Sequence, residues 1–184
     1  GARLSGEAWQ RAELGYAPAV LARTSVGRAK GWLILVSAEF AAHAYESLLA
    51  AGPIQPGGLY ALEMLRISAA EPAWPSEFGD TVTAAEAGLV RTSGDAKRNT
   101  ALVRIILKED RGALYGQERI LRNGLSVGLT TSGAWCRHAG VPVALGYVSD
   151  PSGIDQAWMD ASSFAIDMPG GPAEASVKLV EAGA

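Results

Sequence analysis

The sequence predicts an α+β protein, with helices in the first half of the chain and a small antiparallel β-barrel in the second half. Apolar residues recur at helical spacing between residues 37 and 68, whereas six short apolar runs follow residue 100. Hydrophobic residues make up 48% of the chain and charged residues 19%, which is the composition of an ordinary globular protein. We expect two domains, spanning residues 1–92 and 93–184.

Two strands and a helix are expected first along the chain. Residues 20–25 and 31–36 have the composition of strands, and the continuous apolar run of the second segment predicts that it is buried. A helix should follow, because Ser37 is a suitable N-cap and Gly52 a suitable C-terminal stop. Tyr45 falls on the apolar face of this helix, which predicts that it is a core residue.

A second helix and a capped turn are expected next. Leucines and an arginine recur at spacings of three and four residues from Leu59 onward, and Pro72 ends the pattern. Thr83 and Glu86 have the spacing of a capping box, in which each residue bonds the backbone N–H of the other. The box predicts a single helical turn that ends at Gly88.

The second half of the chain is predicted to consist of strands. Six apolar segments are separated by turn-forming residues, and their close spacing indicates a small antiparallel barrel or sandwich. Asn123-Gly124, between two of these segments, is a strong signal for a hairpin. The six segments are residues 100–108, 117–121, 125–131, 141–148, 162–168 and 174–180.

Charge and composition exclude several classes of partner. The net charge is −3 and the Lys and Arg residues are scattered, which argues against nucleic acid and anionic membranes. No uncharged apolar run reaches the roughly 18 residues that a membrane helix needs. One cysteine cannot form an intrachain disulfide, which favours a reducing, cytoplasmic compartment. Two widely separated histidines with that cysteine do not predict a zinc site, so we expect no metal.

The only cysteine, Cys136, and one of the two histidines, His138, suggest two alternatives. Residues two apart on a strand point to the same side, so a thiol and an imidazole could meet as a hydrolase pair. No oxyanion motif surrounds them, however, and no cysteine-bearing turn leads into a helix. We favour the second alternative, a hairpin turn at the rim of a barrel.

Four segments, taken in order, carry a resemblance to a known family. They are residues 26–52 (VGRAKGWLILVSAEFAAHAYESLLAAG), 57–79 (GGLYALEMLRISAAEPAWPSEFG), 81–89 (TVTAAEAGL) and 126–148 (SVGLTTSGAWCRHAGVPVALGYV). Together they resemble the glycine-cleavage T-protein (aminomethyltransferase) family, which includes the folate-binding domains of sarcosine and dimethylglycine oxidases. The resemblance implies a partial folate-binding α/β region followed by a small antiparallel β-barrel.

The resemblance implies a function in tetrahydrofolate-dependent one-carbon transfer, with a folate or another small-molecule methyl donor as partner. Family members are about twice as long, and the half that has no counterpart here is implied to carry the aspartate that assists transfer. The chain starts at Gly1 rather than Met, which fits a piece of a longer protein. We therefore expect a truncated form that is inactive by itself, and name no catalytic residue. The alternative is a non-catalytic interaction or regulatory module derived from the family.

Three residues are implied to contact the cofactor: Arg66, Glu77 and Trp32. Each has a plainer alternative: a surface charge at a helix C-terminus for Arg66, a structural salt bridge for Glu77, and a core anchor for Trp32. Where the family has acidic residues that hold the pterin, this chain has Arg28 and Leu33. These departures are the reason to doubt that folate still binds.

A homodimer is the last expectation from the sequence. The strand at 31–36 and the helix at 37–51 are apolar enough to need cover on more than one side. The resemblance implies that, in family members, part of that cover comes from the half that has no counterpart in this chain. Large exposed apolar patches are uncommon on soluble monomers, so we expect self-association that buries the region of Trp32.

Overall fold

The computed structural model describes residues 9–27, 29–90 and 97–181. The chain splits into two compact units, Gly1–Leu59 and Tyr60–Ala184. The domain boundary near residue 92 stays a prediction. Each unit is described by itself below.

The first unit is an antiparallel sheet with a helix. Its strands β1 (Trp9–Leu14), β2 (Ala17–Val26) and β3 (Ala29–Val36) lie in the order β1-β2-β3. A 3-10 turn (Ala38–Phe40) then leads into α1 (Ala41–Ala50). The sequence predicted β2, β3 and α1, but not β1, in which charged residues interrupt the apolar pattern.

The core of the first unit is small. Ala17 and Ala19 of β2 and Ala44 of α1 are buried, so one face of the sheet carries alanines where a larger core would carry branched residues. His43 of α1 stacks on the ring of Tyr16 in the β1–β2 turn, with ring centroids 3.7 Å apart. This stacking ties the helix to the hairpin.

Several expectations for the first unit are wrong. The strand β3 is not buried: Leu33 and Leu35 are 51% and 53% exposed, because β3 is an edge strand and their side chains lie on the face opposite Ala19. Tyr45 is 52% exposed rather than part of the core. Ser37 stands at the N-cap position of the 3-10 turn, but its side chain makes no capping hydrogen bond.

The second unit begins with a helix and a loop. The helix α2 (Leu59–Ser68) agrees with the prediction. In the loop that follows, the backbone N–H of Thr83 donates to Glu86 Oε2 (2.9 Å), and the N–H of Glu86 donates to Thr83 Oγ1 (3.2 Å), which confirms the capping box. Hydrogen bonds from Thr83 lower the pKa of Glu86. The carbonyl of Glu86 accepts from the N–H of Leu102, so the capped turn is fastened to the first barrel strand.

The rest of the second unit is a closed antiparallel barrel, which confirms the prediction and excludes the sandwich. Its strands lie in the order β4-β7-β6-β5-β8-β9, and the first pairs with the last. One short helix, α3, was not predicted. The elements are β4 (Arg98–Leu107), β5 (Arg119–Arg122), β6 (Leu125–Cys136), β7 (Val141–Ile154), α3 (Gln156–Asp160), β8 (Phe164–Met168) and β9 (Gly171–Leu179).

The barrel interior is the main hydrophobic core. Alternate residues of the strands face inward, and the largest of them have no accessible surface. The predicted hairpin at Asn123-Gly124 joins β5 to β6, and both residues have positive φ angles (50° and 82°), as a type I′ hairpin turn requires. Fully buried residues of this core include Val103, Ile105, Leu114, Ile120, Val148 and Ile166.

The strands β6 and β7 approach each other closely at two glycines. A Cβ atom on Gly146 would lie 2.6 Å from the carbonyl oxygen of Leu129. A Cβ atom on Gly128 would meet the carbonyl oxygen of Tyr147 far inside contact distance. Both obstacles are backbone atoms, so neither can move aside as the end of a flexible side chain would.

Candidate functional site

The candidate site is built around Arg66, in the last turn of α2. Its guanidinium is buried and donates from Nη1 to Glu77 Oε2 (2.7 Å) and to the carbonyl oxygen of Glu71 (3.1 Å). On its other edge, Nε donates to Glu63 Oε1 (2.9 Å), and Nη2 donates to Glu63 Oε2 (2.5 Å). The surface-charge interpretation of Arg66 is therefore wrong, because two carboxylates and a carbonyl enclose the side chain.

Glu77 is the buried partner of Arg66. Its Oε1 accepts from the hydroxyls of Thr131 (2.7 Å) and Ser132 (2.6 Å), both on β6. Its Oε2 accepts from Arg66 and from the backbone N–H of Ala73 (3.0 Å). Each carboxylate oxygen thus has two donors, and the side chain has no exposed surface. The structural salt bridge that the sequence suggested for Glu77 is confirmed, and the carboxylate fastens α2 to the barrel.

Tyr147 of β7 completes the network. Its hydroxyl donates to the backbone carbonyl of Glu77 (2.5 Å). Burial, followed by the negative charge of Glu77, raises the pKa of the Tyr147 phenol, so the phenol remains a donor. Three barrel side chains therefore hold the backbone and carboxylate of one loop residue.

The charge of Arg66 is secure despite its burial. Burial alone would lower the pKa of the guanidinium, but the hydrogen bond to Glu63 and the charges of Glu77 and Glu63 outweigh it, and the net pKa is raised. The group is a permanent cation, and hydrogen bonds to Glu77, Glu63 and the carbonyl of Glu71 set its position. Such an arginine suits planar, two-point recognition of a carboxylate.

Glu63 is the most exposed of the three side chains in the Arg66 ion pairs. The side chain of Glu77 is 0% exposed and that of Arg66 is 7% exposed, whereas that of Glu63 is 42% exposed. Neighbouring α2 side chains are apolar and also exposed: Leu59, Tyr60, Leu62 and Leu65. The solvent-facing edge of the site is therefore a carboxylate with apolar surroundings.

Trp32 lies in the first unit, on β3. It is 39% exposed, so the expectation of a core anchor is wrong. The guanidinium carbon of Arg23 stands 5.3 Å from the centre of its ring. Contact of Trp32 with a cofactor stays a prediction, and so does cofactor contact by Arg66 and Glu77. Arg28, expected at a pterin position, lies outside the described residues.

Four members of the network were missed by the sequence analysis. Thr131, Ser132 and Tyr147 lie in the segment 126–148 that carries part of the resemblance, but nothing in this segment reveals a partner in a distant loop. Only the contact of Glu63 could have been predicted from the sequence. Residues three apart on a helix are neighbours, so a Glu at that spacing from Arg66 predicts an ion pair.

Cys136 and His138 do not form a site. Cys136 is the buried last residue of β6 and pairs with Val141 of β7, whereas His138 is exposed in the turn between these strands. The alternation of a strand does not extend to His138, so it does not bring the two side chains to one face. The hairpin alternative is confirmed.

The described part of the chain lacks two features, a cluster of metal-binding side chains and a membrane-spanning helix. No group of three or more His, Cys, Asp or Glu side chains among those residues is arranged to hold a metal ion. Within the same ranges, 9–27, 29–90 and 97–181, no helix is long and apolar enough to cross a membrane.

The fold and the network together define a mixed α/β protein in which an arginine-bearing helix is fastened to a closed six-stranded barrel. Comparison with known families gives two matches along the chain. Residues 5–95 match the GCVT N-terminal domain, and residues 101–181 match the glycine cleavage T-protein C-terminal barrel domain. The chain belongs to the glycine-cleavage T-protein (aminomethyltransferase) family.

Individual relatives agree with this assignment. An aminomethyltransferase of Thermosynechococcus vestitus is 34% identical over 71% of this chain and 40% of its own length. One from Cutibacterium acnes is 30% identical over 76% of this chain and 42% of its own length. The fold is similar to the crystal structure of glycine cleavage system aminomethyltransferase T from Bartonella henselae (TM-score 0.68, 18% identity, 89% of this chain and 48% of that one). The chain thus spans about two fifths of these curated relatives.

Proposed function

We propose that this chain is an aminomethyltransferase-like protein linked to tetrahydrofolate-dependent one-carbon transfer. The observation that carries the proposal is Arg66, a buried permanent cation whose outer edge leads to solvent beside apolar side chains. Tetrahydrofolate offers matching chemistry, because it joins a ring system to a glutamate with two carboxylates. Its tail would bond the guanidinium in a two-point arrangement.

The three predicted cofactor residues take different roles in this proposal. Arg66 contacts the ligand carboxylate. Glu77 holds Arg66 in place rather than touching the ligand, because both of its oxygens already have two donors. Trp32, in the first unit, is 39% exposed with Arg23 over its ring, and cofactor contact by this indole is kept as a separate proposal.

We also propose that the chain does not catalyse transfer by itself. Transfer needs an acid or base positioned at the reacting nitrogen. The two carboxylates that bond Arg66 in the described structure, Glu63 and Glu77, are both engaged by its guanidinium. The chain also covers only about two fifths of the aminomethyltransferases it matches. A cytoplasmic location is proposed from the single cysteine.

Binding of 5-formyltetrahydrofolate is expected to raise the unfolding temperature. At a ligand concentration 100 times the Kd, binding to the folded state adds about 2.7 kcal/mol of stability. Arg66→Lys should reduce the shift, since lysine keeps the charge but loses the two-point geometry. Arg111→Lys, at a surface arginine that pairs with Glu109, is the matched control and should shift like the parent chain. The absence of any shift at millimolar ligand would contradict the proposal and favour the interaction-module alternative.

Self-association through the first unit is a second expectation. It is compatible both with the folate-linked function and with the interaction-module alternative. Leu33 and Leu35, next to Trp32 in the chain, are exposed on one face of β3, an edge strand of the described sheet. A second copy would cover these side chains and form a homodimer. Light scattering at high micromolar concentration should give twice the mass of the chain. The double variant Leu33→Glu/Leu35→Glu should give the monomer mass, whereas Ser25→Glu, at an exposed polar position of β2, should not. A monomeric parent chain would refute the expectation.

A further inference from the structure

We propose that Glu63 is a displaceable internal carboxylate, which fills the ligand-binding edge of Arg66 until a carboxylate ligand replaces it. The inference rests on the proposed function for the identity of the natural ligand, but its geometry is independent of that ligand. It assigns to Glu63 a role in regulating access to the site.

The first argument is the division of Arg66 into two edges. Its Nη1 group is committed to the buried loop through Glu77 and the carbonyl of Glu71. Its Nε and Nη2 groups bond both oxygens of Glu63 and no other residue of the described structure. Glu63 therefore occupies the whole two-point face that a ligand carboxylate would use.

The second argument is the contrast between the two carboxylates. Glu77 has four donors and no exposed surface, so it cannot leave without stranding a buried charge. Glu63 is 42% exposed and takes its hydrogen bonds from Arg66 alone among the described residues. Rotation of Glu63 into solvent costs only its bonds to Arg66, because water can solvate the freed carboxylate. Glu77 keeps the guanidinium in position meanwhile.

The third argument concerns the kind of ligand. Exchange of one carboxylate for another leaves the charge and the hydrogen bonds of Arg66 unchanged, so a ligand gains from the exchange only through its other contacts. Leu59 and Tyr60 precede Glu63 by four and three residues, and Leu62 precedes Arg66 by four, so all three are neighbours on α2. All three are exposed and apolar or aromatic. The site therefore suits a carboxylate attached to an apolar or aromatic body.

Removal of Glu63 should strengthen binding. If Glu63 closes the site about four fifths of the time, the apparent affinity of any carboxylate ligand is about fivefold weaker than the intrinsic affinity. Glu63→Ala should recover that factor, and Glu63→Gln, which keeps the shape without the charge, should recover part of it. Glu46→Ala is the matched control, because Glu46 is exposed on α1 and has no ion pair among the described residues.

The experiment is a titration of each variant with 5-formyltetrahydrofolate and, separately, with sodium benzoate. Calorimetry gives the Kd, and the side-chain Nε–H signal of Arg66 in 15N NMR reports whether the ligand reaches the guanidinium. The proposal expects about fivefold tighter binding of both probes to Glu63→Ala than to the parent chain or Glu46→Ala, with movement of the Arg66 signal.

The other outcomes separate this inference from the proposed function. Equal folate binding by Glu63→Ala and the parent chain, with a stationary Arg66 signal, would overturn the inference and leave the folate proposal standing. A gain for benzoate without any folate binding would support the inference and refute the folate proposal. If neither probe binds to any variant, both are refuted.

Discussion

Replacement of Glu77 with alanine is expected to lower the free energy of unfolding of the barrel unit by about 3–5 kcal/mol, which is the usual cost of removing one partner of a buried ion pair. The variant leaves the guanidinium of Arg66 buried with only the half-exposed Glu63 to balance it. It also removes the acceptor of the Thr131 and Ser132 hydroxyls. Urea unfolding followed by NMR signals of barrel amides measures the change.

Two further variants show whether charge is the cause. Glu174→Ala removes one partner of an exposed pair with Lys108 and should cost far less than Glu77→Ala, because water screens that pair. The double variant Arg66→Leu/Glu77→Leu should cost less than Glu77→Ala, because it leaves no buried charge unpaired. A cost below about 1 kcal/mol for Glu77→Ala would show that the network is not structural.

The second large effect is expected for Gly128→Ala, at about 3 kcal/mol, the upper end of what added atoms cost in a packed core. The new methyl group would meet the carbonyl oxygen of Tyr147, which belongs to the ladder of the neighbouring strand. Relief requires β6 and β7 to move apart, and this weakens pairing on both sides of the glycine. The same urea experiment measures the loss.

Ser126→Ala is the control for this substitution. Ser126 lies two residues earlier on β6 and is exposed, so the change should stay within about 0.5 kcal/mol. A Gly128→Ala variant that is as stable as the control would mean that the two strands do not approach as closely as described.

The barrel could be predicted because the signals for each strand and each turn lie within short segments of the sequence. Each strand is a short apolar run, and each connection has its own turn residues, so alternation and turn chemistry indicated all six strands. The lengths of β6 and β7 could not be predicted. Both continue past glycine, serine and proline residues that signal turns in a flat strand, whereas a strongly coiled barrel strand accommodates them at bulges.

The first unit shows the limit of reading burial from composition. The run in β3 has the apolar residues of a central strand, yet β3 lies at the edge of a three-stranded sheet and exposes Leu33 and Leu35. A hydrophobic pattern predicts that a strand has an apolar face, but it does not predict which part of a molecule packs against that face. The exposure of Trp32 has the same origin.

Individual residues of the site could be predicted from the sequence, but the hydrogen bonds that join them could not. Arg66 and Glu77 were each named as cofactor residues by the resemblance to the family. Their joint attachment to Thr131 and Ser132 depends on contacts between residues more than 50 positions apart. A single sequence contains no direct record of such contacts.

The closure of the barrel has a consequence for the kinetics of folding. The hairpins β5–β6, β6–β7 and β8–β9 join neighbours in sequence and can form early. The strand β4, in contrast, pairs with β7 and β9, so its partners arrive only after most of the unit has been ordered. Long-range pairing of this kind slows folding, because chain entropy is lost before the contacts that compensate it are made. Until β4 is in place, the open edges of β7 and β9 are available to other chains, and aggregation competes with closure.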